Sequence, residues 1–530
     1  MSEKSTEQAA KAAGLISLMF LLSRILGFVR ENLSARLFNR FETDAFFAAF
    51  IIPDTMYYLL VGGALSAAFI PVFTEYLAKG EEEEGWRVAS TFINTTVLLL
   101  AVFTVLGVVF AEGLVPLEAP HFRAEKMILL VELTRIMFPA VCFTALAGLM
   151  GGTLNSYQHF LAPALGPVFY NVAIIGGSFW LGPRFGIKGM AVGVVIGAIG
   201  NFLIQVSFLR KLSGKHYRFC FELSNPGFRR MLILMLPALI GLSATQINLW
   251  ITNVMASSLP EGSISYLRFA NRLIQLPIGI FASGIAVAFF PLLSRLSAQN
   301  QMEPFKENLS LALRAIFFVM IPSAVGLMVL RYPIVKLLFE GQEFTPQHTM
   351  LTAYALFFYS LALFAHAAIL LLPRAFYALQ DTRTPVIVSI VSISLSIFLN
   401  WYFLKFTHLG VGGFALSFSI MGLVNMLLLM FILKRKINGI HGHAILKSFL
   451  KTTVASLVMG LVIYAAKLGL THFIHGKAIS GHLESALMVV VGMGLGVLTF
   501  FLIAWLLKME EIETALGILK RKLLRKRTAQ

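Results

Sequence analysis

The sequence predicts an all-α polytopic membrane protein of about 14 transmembrane helices, arranged as two parallel six-helix repeats followed by two C-terminal helices. Three observations carry this. Of 530 residues, 58% are hydrophobic and 13% charged, with a mean hydropathy of +0.80, whereas soluble domains are about a quarter charged. Apolar windows of about 20 residues, the length that crosses ~30 Å of hydrocarbon, recur along the whole chain and leave no stretch large enough for a soluble domain. The chain also matches itself at a shift of about 220 residues. A barrel is excluded because the apolar runs are continuous rather than alternating.

The predicted spans lie near 14–38, 44–77, 88–115, 125–153, 160–181, 186–209, 229–258, 264–298, 308–338, 349–379, 384–405, 410–434, 447–470 and 484–507. Several are longer than a bilayer requires, which implies tilt, breaks or extension beyond it. The N-terminal "MSEKSTEQAAKAAG" leads into the first span without a cleavage signal and reads as part of a retained helix. Pro53–Asp54 and Gly62–Gly63 mark points where the second helix bends or unwinds.

The self-match has three parts in order. "ALSAAFIPVFTEY" from Ala64 resembles "GIAVAFFPLLSRL" from Gly284, placing Pro71 over Pro291. "TLNSYQHFLAP" ending at Pro163 parallels "AFYALQDTRTP" ending at Pro385, placing Gln158 over Gln380. "GIKGMAV" from Gly186 parallels "GVGGFAL" from Gly410. A repeat holding six spans, an even number, gives both halves the same orientation. Transporters are often built on such repeats, with alternating access about a substrate site at the repeat interface; a structural membrane scaffold is the alternative. The domains read as 1–215 and 216–440 for the two repeats, 441–510 for helices 13 and 14, and 511–530 for a basic tail.

Charge sets the expected orientation. Between Arg210 and Arg230 lie six Lys/Arg and one acid, and Lys434–Lys451 holds five Lys/Arg and no acid. The tail "LKRKLLRKRTAQ" holds six more. These segments follow the sixth, twelfth and fourteenth spans, always on one side, so that side is read as cytoplasmic with both termini inside. The net charge of +17 is thereby explained without nucleic acid, and the tail is suited to anionic lipid. The acidic run Glu81–Glu84 reads as a solvated loop.

The first span contains "SRILGFVRE" from Ser23, three charges in a segment otherwise built for lipid. A charge at the bilayer centre costs about 2.5–3.5 kcal/mol on insertion scales, so Arg24 and Arg30 require a wet cavity, a partner or an anion. At helical spacing Ser23, Gly27, Arg30 and Ser34 share one face, a small and polar stripe that reads as a cavity wall. Arg24 projects from an adjacent face, with a local balance against Glu31 as the alternative. Asp44 opens the second span, as a cavity residue or simply a helix cap. The eighth span adds Arg268 and the deeper Arg272; Arg135 could pair with Glu132. If Arg24, Arg30 and Arg272 converge, the chamber is strongly electropositive and suits phosphate or pyrophosphate, which guanidinium binds bidentately.

Other chemistry is thin. There is no Walker A motif, no metal-ligand spacing among the 11 His, and no carboxylate pair placed for acid–base work. These features argue against an enzyme and against a resident cofactor. His366, on an apolar face, reads as a packing residue, and Cys142 and Cys220 predict no disulfide.

Taken together, "SRILGFVRE", "TDAFFAAFIIPD", "GALSAAFIPVFTEY", "GGTLNSYQHFLAPALGPVFYN", "FANRLIQLPIGI" and "RAFYALQDTRTP" resemble the MurJ/MviN family. These are bacterial lipid II flippases within a superfamily of multidrug and polysaccharide exporters. The resemblance covers about 500 residues and implies two six-helix lobes in the inner membrane, with helices 13 and 14 forming a groove for a polyprenyl tail. It implies lipid II as substrate, undecaprenyl-pyrophosphate carrying the disaccharide-pentapeptide, and leaves open partners in the cell-wall machinery. Its cavity arginines fall on Arg24, Arg30 and Arg272, its first-helix serine on Ser23, its second-helix aspartate on Asp44, and a polar cavity residue on Asn171. Some relatives hold sodium between helices seven and eleven; Asp381 is the candidate ligand, though a capping or loop role fits it equally. Coupling to a monovalent cation or to membrane potential is therefore open.

This chain departs from the family pattern in several places. Tyr57 and Tyr58 stand where many relatives carry an arginine pair, and Gly62 stands for a glutamate. Asn271-Arg272 replaces an Asp-Arg pair, and the seventh helix offers Asn248 and Asn253 rather than a carboxylate. A flippase for another polyprenyl-linked oligosaccharide and a drug or ion antiporter are the rival readings.

Overall fold

The computed structural model describes residues 3–58, 68–213, 217–474 and 480–512. Among them the chain is helical, with turns and short extended connections. It packs as two compact units: residues 1–265 with 341–344, and residues 266–340 with 345–530.

The first unit opens with α1 (Glu3–Leu37) and turns at Asn39 into α2 (Arg40–Ala48). A capping box starts α2: Asn39 Oδ1 accepts from the Glu42 amide at 2.9 Å, and Glu42 Oε2 accepts from the Asn39 amide at 3.3 Å. The second predicted span opens with α2, breaks at Ala49–Phe50 and restarts as α3 (Ile51–Tyr57); its far end lies on α4 (Ile70–Ala78). The helix restarts at Ile51, so Pro53 falls in a first turn, where its missing N–H breaks no ladder. The Gly62–Gly63 bend lies outside the described residues.

Then come α5 (Glu82–Val109), the short α6 (Ala111–Leu114) and α7 (Ala124–Ser156). After them run α8 (Leu161–Gly176), a π-turn over Gly177–Leu181, α9 (Gly182–Phe185), α10 (Ile187–Ser213) and α11 (Pro226–Ala256). Their α8–α10 contact is backbone-close: a Cβ on Gly193 would stand 2.8 Å from the Ala173 oxygen. The unit's core gathers Phe69, Phe73, Trp86, Phe92 and Phe228.

The second unit takes up α12 (Ser263–Pro277) from Tyr266 onward. Pro277 withdraws an N–H from the ladder, and the helix passes through a π-turn over Ile278–Ala282 into α13 (Ser283–Ala298). Then follow α14 (Met302–Phe339), α15 (Pro346–Ser360), α16 (Leu363–Ala368) and α17 (Leu372–Ala378). The unit closes with α18 (Arg383–Phe406), α19 (Val411–Lys436), α20 (Gly442–Ile474) and α21 (Gly481–Leu506). Helices α20 and α21 pack on α14 through Phe318, Leu330, Met459, Ile463 and Phe500.

Among the described residues ten helices are long and apolar enough to cross a membrane. Helix α15 with the stretch Leu363–Ala378, bent by 57° at their break, makes an eleventh. The remaining three predicted spans fall on α1, on the broken α2–α4 and on α11, each of which adjoins or contains residues left undescribed. The chain is an all-α polytopic membrane protein.

Packing does not divide the chain at 215/216, where the repeat does; it divides at Ser265. Helix α11 accounts for the difference, because it is stitched to the first unit at both ends. Gly227 lets it lie against Tyr76 and Val88, and Arg230 reaches Glu75 at 2.7 Å. At its other end Asn253 Nδ2 donates to the Glu118 carbonyl at 2.9 Å, and Trp250 Nε1 to that of Leu117 at 2.8 Å. Residues 441–510 are likewise no separate unit, and most of the 511–530 tail lies outside the described residues.

The duplication is written in the backbone. Gln158 and Gln380 hold φ of 58° and 59° at the turns into α8 and α18. Gly186 and Gly410 hold 59° and 52° at the starts of α10 and α19, and Gly80 and Asn300 hold 76° and 53° before α5 and α14. Left-handed glutamine is uncommon, so its recurrence at aligned positions is a signature of common descent.

Candidate functional site

Helix α1 presents the polar face expected of it. Gly27 and Ser34 are buried, and Ser23 and Arg30 are partly so. Asn171 on α8 donates from Nδ2 to Pro167 O at 2.9 Å, to Ser23 O at 3.3 Å and to Ser23 Oγ at 3.5 Å. Two of the predicted residues, Ser23 and Asn171, are thus brought together. Arg24 is exposed on α1.

Glu31 is buried, and its Oε1 lies 3.2 Å from Arg30 Nη2. The local balance expected for Arg24 is thus made by Arg30 instead, since an adjacent side chain on the buried face reaches Glu31 more readily than one two turns away. Arg135 likewise pairs with Glu112 at 3.0 Å, while Glu132 pairs with Lys188 at 2.6 Å, both with partners on other elements.

Asp44 forms a cluster of its own. Its Oδ1 accepts from the Ser265 amide at 2.8 Å and Ser265 Oγ at 2.6 Å. Its Oδ2 accepts from the Gly262 amide at 2.7 Å and from Lys126 Nζ at 2.9 Å. Asp44 is 2% exposed and its lysine 4%, so three neutral donors and a cation offset the desolvation of the carboxylate. Asp44 is indeed a cap, but for the start of α12 rather than for its own helix. Sequence reasoning missed Lys126; the available signal was a lone lysine in the first turn of an apolar helix. Phe122, whose ring centroid lies 4.5 Å from the ammonium, shields it further.

The first unit also contains a cavity of about 260 Å³ lined by Asp54, Tyr58, Thr144, Tyr170 and Asn201 among apolar residues. It sits beside Pro53, in the first turn of α3, and Pro167, inside α8. Just outside the membrane-spanning stretch of α5, Glu118 is buried, with Oε1 accepting from the Ile52 amide at 3.3 Å. Burial pushes its carboxyl up to about 8, against the lowering effect of that hydrogen bond.

Arg272 belongs to the second unit, partly buried in α12 five residues before Pro277. Asp381 sits in the α17–α18 turn, where its Oδ1 accepts from the Thr384 amide at 3.0 Å and Oδ2 from Thr384 Oγ1 at 2.8 Å. Lys436 also donates to it. Partial burial pushes this carboxyl up, but the bonds from Lys436 and Thr384 outweigh that and hold it at about 2. His366 packs as expected, stacked on Phe418 at 3.9 Å with Nε2 3.0 Å from the Phe418 oxygen. Both cysteines are free.

The acidic run is not a loop. Glu82–Glu84 form the first turn of α5, where the helix dipole favours them. Glu83 pairs with Arg218 at 2.7 Å, and Arg87 bridges Glu84 and Glu222.

A sequence profile described as "Lipid II flippase MurJ" matches residues 33–483. The chain belongs to the MurJ family. A Vibrio cholerae protein described as a probable lipid II flippase MurJ is 33% identical over 517 residues, covering 95% of this chain and 97% of its own. The lipid II flippase MurJ of Burkholderia cenocepacia is 32% identical, covering 84% of this chain and 88% of its own. A solved MurJ structure, in an inward closed conformation, superposes with a TM-score of 0.78 at 29% identity over 94% of this chain and 99% of that one. A multidrug MATE transporter in an inward-facing conformation, at 16% identity and TM-score 0.68, covers 80% of this chain and 98% of its own, and shares the fold alone.

Proposed function

We propose that this chain is a lipid II flippase of the bacterial inner membrane, working by alternating access of its two six-helix repeats. The observation that carries the reading is the match to MurJ across nearly the whole chain. Arg24, Arg30 and Arg272 hold the pyrophosphate, each guanidinium forming charge-assisted hydrogen bonds to its oxygens. The headgroup crosses a water-filled path while the polyprenyl tail stays in lipid. The Arg30–Glu31 contact supports a specific role for Glu31: it holds the Arg30 guanidinium oriented before the substrate arrives. Asn171 on α8 meets the polar face of α1 at Ser23, joined through its Nδ2. Asp44 acts at one end of the protein by capping α12, with Lys126 as counterion.

Both termini lie in the cytoplasm, facing anionic lipid and the cell-wall synthesis machinery, a reading that the basic connections support. Transport is coupled to membrane potential or a monovalent cation, with Asp381 the candidate coupling residue; no catalytic step is involved. The test is complementation in a bacterium depleted of its own lipid II flippase, with wild type and Arg30→Ala at matched membrane expression. Wild type restores growth and Arg30→Ala does not. Failure of a properly inserted wild type moves the substrate to another polyprenyl-linked oligosaccharide, and rescue by both removes Arg30 from the mechanism.

A further inference from the structure

Helices α14 and α20 run side by side in the same direction within the second unit. A Cβ on Gly460 would stand 2.7 Å from Val325 Cγ1, and Ile463 and Leu330 share one core. Two helical turns beyond Gly460 is Lys467, and two turns beyond Val325 are Arg331 and Tyr332. Leu330, next to Arg331, and Ile463, one turn before Lys467, share that core, so the two cations stand at about the same level of the paired helices. Two acids, Glu340 and Glu484, lie near Tyr332 at this end of the unit. Glu340 accepts from Thr349 Oγ1 at 2.8 Å, and among the described residues neither Glu340 nor Glu484 forms an ion pair with Arg331 or Lys467.

A cation near the end of a membrane helix ordinarily extends to water by itself. Arg331 does not. Its Nη1 turns back to the Met328 carbonyl at 2.6 Å, and its guanidinium lies 5.0 Å from the centroid of the Phe357 ring. That holds the guanidinium between its own helix and Phe357 of α15 rather than releasing it. Tyr332 and Tyr464 flank the pair, both exposed, and Leu461 and Leu468 form an exposed apolar surface on α20. A guanidinium held in place, a second cation, two phenol hydroxyls and an adjoining apolar face fit one ligand: a phosphate whose carrier has acyl chains.

We propose that Arg331, Tyr332, Tyr464 and Lys467 form a headgroup site for an anionic phospholipid, occupied from the bilayer leaflet at this end of α14 and α20. The site stands apart from the arginines of α1 and α12 and does not depend on the flipping reaction. Its occupant bridges two helices whose charges otherwise repel, so the lipid stabilises the α14–α20 contact.

The test is native mass spectrometry of the delipidated full chain, titrated with phosphatidylglycerol, phosphatidylcholine and undecaprenyl pyrophosphate. Wild type binds its first phosphatidylglycerol on the order of tenfold more tightly than phosphatidylcholine, as two charge-assisted contacts imply. The Arg331→Gln/Lys467→Gln variant loses that preference while its phosphatidylcholine binding is unchanged, a pattern misfolding would not give. Arg331→Lys keeps part of it. Equal affinities in wild type, or a preference that survives in the double variant, overturns the proposal. It is also overturned if the double variant loses undecaprenyl pyrophosphate binding but keeps its preference for phosphatidylglycerol, since the site then serves the polyprenyl carrier.

Discussion

Single charges in this chain differ sharply in what they are worth, and burial decides which matter. Lys126 and Asp44 are buried together, so Lys126→Ala leaves a buried carboxylate without its counterion and costs about 3–5 kcal/mol. Thermal unfolding in detergent checks this, and Asp44→Asn in the same background restores part of the loss. The Arg87–Glu222 pair is exposed, so Arg87→Ala with Glu222→Ala costs under about 1 kcal/mol. Glu118 adds a pH signature. Its folded carboxyl, raised to about 8, binds a proton that the unfolded chain releases near 4.5. Stability therefore falls as pH rises from about 4.5 to about 8, by up to about 1.4 kcal/mol per pH unit. Glu118→Gln flattens that slope, which unfolding at a series of pH values would show.

At the same scale, what was legible in the sequence follows from whether a residue's partner is local. The face shared by Ser23, Arg30 and Ser34 follows from helical period alone, and His366 from its apolar surroundings. The partners of Asp44 and Arg135 lie tens to hundreds of positions away. Period and spacing carry no information about them, so Lys126 and Glu112 went unseen.

At the scale of the element, long apolar helices were plain because lipid leaves the backbone no other partner than itself. Their breaks were only partly plain. Proline announced the interruption near Pro53, but the π-turn after Pro277 went unread, and the Glu81–Glu84 run was misread because a cluster of acids looks the same in a loop and in a helix's first turn. Close packing was also hidden. Gly193 looks ordinary in sequence, yet it sits where α10 meets the backbone of α8. Gly193→Leu must push the helices apart, at a cost of several kcal/mol comparable to severe overpacking. The expected outcome is a protein that inserts but unfolds at lower temperature than Gly200→Ala, whose added methyl meets only the Phe169 ring.

For the whole molecule, the repeat was the most informative feature, and the left-handed pairs Gln158/Gln380 and Gly186/Gly410 are its structural imprint. The packing boundary at Ser265 was not legible, because α11 is committed to the first unit by contacts with residues more than 100 positions earlier, such as Glu75 and Glu118. Function at this scale rests on the claim that Arg30 grips the pyrophosphate of a lipid-linked precursor. The most direct measurement is the appearance of lipid II in the outer leaflet of cells depleted of their own flippase, read with an impermeant hydrolase that cleaves only exposed lipid II. The account predicts cleavage with wild type and at least tenfold less with Arg30→Ala at equal membrane abundance, the loss of one charge-assisted contact. Equal cleavage in the two would contradict it.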